Sequence, residues 1–119
     1  MEKTTNSILP LTDLRNSFDN DTDIIVSILD MFLEEVPQDY MQLQQYIGSG
    51  NYEAAGLQAH KVKSSYRTLG IQHMASILEK IEHQAKNNEN TQEIPELLAV
   101  FDAKYQDVQA QVIKTKDQI

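Results

Sequence analysis

The sequence has no cysteine, which rules out disulfide staples and thiolate metal sites. Glycine and proline are scarce, four and three among 119 residues. With 40% hydrophobic content, that scarcity reads as a globular helical chain rather than a fibrous or disordered one. No apolar run approaches the roughly 18 residues that a membrane span needs, and the start, Met1-Glu2-Lys3-Thr4-Thr5-Asn6, lacks the charged and apolar regions of a signal peptide. Basic residues are few, 10 against 18 acidic ones for a net charge of −8, so the basic stripe required for nucleic-acid phosphates is missing. Strand signals are missing too: no alternating apolar run is bounded by turn residues, and no Asn-Gly or Asp-Gly pair marks a hairpin. The expectation is one soluble, cytoplasmic, all-helical domain.

What is present is helical periodicity. Leu11, Leu14 and Phe18 stand at spacings of 3 and 4 and predict a short N-terminal helix lying as a lid across the end of a bundle. Asp19, Asn20, Asp21 and Thr22 offer capping side chains. Ile25, Leu29, Phe32, Leu33 and Val36 then form a seam that Tyr40, Leu43 and Ile47 continue beyond Pro37. Because proline breaks or kinks a helix interior, residues 22–47 read as one bent helix or two abutting ones. Gly48, Ser49 and Gly50 end it, and Asn51 opens a helix running to Leu69, with Gly70 as its left-handed terminator. The next helix begins near Gln72 and buries Met74, Ile77, Leu78, Ile81 and Ala85. A polar loop over residues 86–90 follows, and Asn90 with Glu93 resembles a capping box. Ile94, Leu97, Phe101, Tyr105, Val108 and Val112 predict a long last helix. Four amphipathic helices on short loops pack most simply as an up-and-down antiparallel four-helix bundle, spanning residues 9–117 after a flexible N-terminus, 1–8.

One stretch carries chemistry, Ala59-His60-Lys61-Val62-Lys63-Ser64-Ser65-Tyr66-Arg67-Thr68-Leu69-Gly70. On a helix, Ala55, Ala59, Val62, Tyr66 and Leu69 form the buried seam, and His60 falls roughly 140° from its centre. Gly56, Lys63, Ser64 and Arg67 neighbour it at helical spacing. An imidazole in water titrates near pH ~6.5, so it is largely neutral at neutral pH and has a lone pair to attack phosphorus. Lys63 would attract phosphoryl charge, although a solvated lysine is the blander reading. Gly56 and Ser64 would leave room for a partner's surface. Leu57 reads equally as the rim of that docking surface or as a packed helix-edge leucine. Arg67 reads as a docking contact or merely as a soluble charge, and Gln58 and Lys61 flank the histidine. His73 and His83 lack such company and read as surface or capping residues. With 13 and 10 residues separating the three histidines, no metal site is expected.

These residues resemble the histidine-containing phosphotransfer domain of multistep phosphorelays. The motif is alanine, histidine, any residue, an apolar residue, lysine, then glycine or serine, with Leu69-Gly70 six residues after Lys63. Leu78, Glu79 and Glu82 follow on the next helix. Upstream, Leu11, Phe18, Asn20, Asp21, the apolar run over residues 28–33, Pro37, Leu43 and Gly50-Asn51 fall where that pattern has comparable residues, so the likeness covers about residues 9–86. Ser64 stands where many members have glycine, and Asn51 where aspartate is frequent. The resemblance implies a phosphorelay intermediate in which His60 accepts a phosphoryl group from a receiver-domain aspartate and passes it to another receiver. Lys63 would stabilise the phosphoryl group, and Gly56, Leu57, Ser64 and Arg67 would form the docking surface. It implies response-regulator receivers and a hybrid sensor histidine kinase as partners, Mg²⁺ held by the receiver, no cofactor in this chain, and a monomer. No Gly-rich phosphate loop is present, so phosphorylation from ATP is not expected. The alternatives are the phosphoacceptor and dimerisation segment of a histidine kinase, and a helical adaptor without phosphoryl chemistry.

Overall fold

The computed structural model describes residues 12–119. Its elements are α1 (Thr12–Ser17), α2 (Thr22–Gly48), α3 (Tyr52–Thr68), α4 (Gln72–Asn87), a 3₁₀ turn (Thr91–Glu93) and α5 (Ile94–Gln118). There is no strand among the described residues. Leu11, the side chain of Leu14 and the N-terminal residues 1–8 lie outside the described part, so the expected lid is represented by the backbone of α1 and by Phe18, which rests against the core.

Local chemistry sets the helix ends. Asp21 caps α2 by accepting from the Ile24 N–H at 3.2 Å, and Asn51 caps α3 by accepting from the Ala54 N–H at 3.2 Å. At the end of α3, Gly70 takes φ +75°. The Gly70 N–H then donates to the Arg67 carbonyl at 2.9 Å and the Ile71 N–H to the Tyr66 carbonyl at 3.0 Å. That pair of bonds reverses the chain sharply into α4. Replacing Asn51 by alanine orphans one helical N–H and is expected to cost about 1 kcal/mol of stability, read by urea unfolding.

Pro37 sits inside an uninterrupted α2, so the single-helix reading holds. The cost of an interior proline, about 3 kcal/mol, is outweighed by the seam on both sides of it. Val36, Tyr40 and Leu43 are all buried, at roughly 1.5–3 kcal/mol for each large side chain.

Two expectations need correction. Lys86 and Asn87 belong to the last turn of α4 rather than to a loop. The capping box at Asn90 and Glu93 does not form: Asn90 is left-handed at φ 49° and makes no side-chain cap bond, while the Glu93 carboxylate accepts from the Gln84 amide at 2.9 Å.

Each long helix packs on the next in sequence, and α5 returns to α2, so the four enclose one core. At its centre Tyr66 of α3 meets Phe32 of α2 and Phe101 of α5 edge to face, at 4.9 and 5.4 Å between ring centroids. The hydroxyl of Tyr66 donates to Gln109 at 3.2 Å, and that of Tyr40 to Asp102 at 2.5 Å, so neither buried polar end is left unpaired. Anchored by Ala55, Ala59, Val62 and Tyr66, all fully buried, α3 presents its opposite face to solvent.

Candidate functional site

His60 stands on that outward face with its side chain 56% exposed. Its Nδ1 lies 2.9 Å from Oε2 of Glu82, on α4. The tight reversal at Gly70 brings α4 back beside α3, which is how a residue 22 positions later comes to touch the ring.

Glu82 gathers two further contacts. Nζ of Lys63 is 2.7 Å from Oε1, and Nζ of Lys86 is 2.7 Å from Oε2. Burial alone would raise the Glu82 carboxyl, but the contacts from Lys63, Lys86 and His60, with the Lys63 charge, outweigh it and hold the group at about 2 instead of 4.5. A carboxylate this acidic is ionised at neutral pH and can only accept a hydrogen bond. In the neutral ring Nδ1 is therefore the protonated nitrogen, and Nε2 keeps its lone pair.

Lys63 does not stand free beside the ring as its helical position suggests. Its side chain is only 9% exposed: position 63 adjoins the core residue Val62, and the long stem follows the α3–α4 seam inward to Glu82. Removing one member of such a buried pair costs about 3–5 kcal/mol. Lys86 is different, 46% exposed and four residues from Glu82 on the same helix, a pairing worth about 0.3–0.5 kcal/mol.

Gly56 is buried rather than open to a partner. A Cβ there would lie 3.0 Å from Cγ of Lys86 and 3.4 Å from its backbone nitrogen, so the space that glycine leaves is occupied by Lys86. Leu57 is 66% exposed. Ser64 is exposed and its hydroxyl donates to the His60 carbonyl at 3.1 Å. Arg67 pairs with Glu79 at 2.9 Å, both well exposed. On the other flank, Lys61 pairs with Asp39 of α2 at 3.2 Å, and the Gln58 amide donates to the Asp39 carbonyl at 2.9 Å.

The other histidines have no comparable surroundings. His83 is 67% exposed, its ring 3.9 Å from Glu89. His73 titrates below the ordinary histidine value because of burial and then the Lys104 charge. Among the described residues no group of three or more histidines and carboxylates is placed to hold a metal ion, and no helix is long and apolar enough to cross a membrane.

The family model of the Hpt domain matches residues 27–111. The chain belongs to the Hpt domain family. No curated protein and no solved structure matches it. Membership implies histidine phosphotransfer in two-component signalling, and Hpt domains in general interact with receiver domains and kinases. All three histidines fall within the matched span, so family membership does not choose among them. Within this Hpt domain, His60 alone pairs an exposed ring with a buried carboxylate.

Sequence reasoning gave Glu82 no role and missed Lys86. The available signal was their spacing, since acid and lysine at i and i+4 on one helix face form a pair. That the same carboxylate also meets His60 and Lys63 depends on how α3 crosses α4.

Proposed function

We propose that the chain is a phosphorelay intermediate with His60 as its phosphoacceptor. The observation that carries this reading is the Nδ1 contact to an ionised, buried carboxylate, which leaves the nucleophilic Nε2 facing outward. Nε2 attacks the phosphorus of a receiver's aspartyl phosphate. An N–P bond forms as the acyl-phosphate O–P bond breaks, and the electron pair leaves with the aspartate carboxylate. Substituted at both nitrogens, the ring then carries a positive charge beside Glu82, as an imidazolium does beside the buried aspartate of a hydrolase triad. Transfer to a second receiver's aspartate reverses these steps. Positioning and electrostatics are what this chain contributes; Mg²⁺ belongs to the receiver.

All four long helices come from one chain. This favours a monomeric, antiparallel up-and-down bundle over a kinase dimerisation segment, which needs helices from two chains.

The test is incubation with a radiolabelled phospho-receiver domain and Mg²⁺, followed by addition of a second, unlabelled receiver. Label that enters the protein, is lost in acid, survives alkali and moves to the second receiver supports the relay. Receivers that bind normally yet leave the protein unlabelled would overturn it.

A further inference from the structure

Building on the reading of His60 as phosphoacceptor, we infer that Lys86 is the cation that meets the phosphoryl group, the role for which Lys63 is the candidate by sequence. Glu82 carries one negative charge and touches two ammonium groups. One lysine is enough to balance it, so the other is available to an incoming dianion. Which lysine is free to turn is decided by burial.

Lys63 is tied to Oε1 in the interior, where leaving would strand two buried charges. Lys86 is half exposed and shares Oε2 with Nδ1 of His60. Its ammonium is therefore one carboxylate oxygen away from the ring, and water can solvate it as it turns. When it moves to the phosphoryl group, Lys63 stays on Oε1 and the Nδ1 proton stays on Oε2, so Glu82 remains paired at both oxygens.

Lys61 and Arg67 are at least as exposed as Lys86, but they pair with Asp39 and Glu79, so of these three cations Lys86 alone stands on the carboxylate that holds the ring. Gly56 completes the arrangement. Lacking a Cβ one turn before His60, it lets the Lys86 stem lie against α3, where Cγ would otherwise be met at 3.0 Å.

The test compares wild type with Lys86→Met, which keeps the stem and removes the charge, and with Lys86→Arg, which keeps the charge. The equilibrium ratio of phosphohistidine to phospho-receiver, read on the free species, depends on the stability of each phosphorylated form and not on how the partners dock. Loss of one solvent-facing cation is expected to lower that ratio about fivefold to tenfold in Lys86→Met, with Lys86→Arg close to wild type. The ³¹P-monitored titration of the phosphoryl group should move to higher pH in Lys86→Met, because a neighbouring ammonium favours the dianion. Wild type that takes no label at a histidine would defeat the phosphoacceptor reading itself. Labelled wild type, with Lys86→Met matching it in both ratio and titration, would overturn the role of Lys86 alone.

Discussion

Replacing His60 by glutamine is expected to abolish phosphoryl uptake while leaving the bundle folded. The reaction needs a nitrogen lone pair in the plane of an aromatic ring. The nitrogen of an amide is delocalised into its carbonyl and does not attack phosphorus. Stability should change little, because the ring is 56% exposed and outside the core, glutamine is a slightly better helix former than histidine, and its amide can still donate to Glu82. Thermal unfolding within about 1 kcal/mol of wild type, with no acid-labile label above background, is the expected pair of results. His73→Gln and His83→Gln should retain uptake. Label persisting in His60→Gln would place the acceptor elsewhere.

Glu82→Gln is expected to affect both stability and rate. The folded carboxyl titrates at about 2 against 4.5 unperturbed, and such a depression corresponds to about 3 kcal/mol of stability. The sign follows from the depression: the contribution is complete above the unfolded value and is lost as pH falls through the folded one. Wild type should thus exceed Glu82→Gln by about 3 kcal/mol near neutral pH, with the gap closing between about pH 4.5 and pH 2, as read by urea unfolding across that range. Phosphoryl uptake should slow by about 10²-fold, because a neutral amide can donate to Nδ1 as well as accept from it, so it no longer selects the tautomer, and it does not balance the charge of the phosphorylated ring. An unchanged rate would mean that the Glu82 contact is structural only.

The helices were legible because burial imposes a 3.6-residue period that few glycines or prolines interrupt. Ile25, Leu29, Val36 and Leu43, and likewise Phe101, Val108 and Val112, occupy the core as their spacing implies. The exposure of His60 followed from the same wheel. Lys63 did not, since a wheel records the direction of Cβ and not the reach of a four-carbon stem. Gly56 reads on the sequence as clearance for a partner because the residue filling that clearance, Lys86, lies on another helix. At Asn90 the local capping pattern lost to the left-handed backbone of the turn and to the Gln84 amide.

The contacts that join His60, Lys63, Glu82 and Lys86 lie across α3 and α4 or within α4, all inside one contiguous helical hairpin. The chemistry is therefore a portable unit. α2 and α5 supply a scaffold whose outer faces can diverge in sequence, or be regrafted in design, while the hairpin with its glycine crossing is moved intact. Change within it is constrained in concert, because one carboxylate answers to three side chains at once.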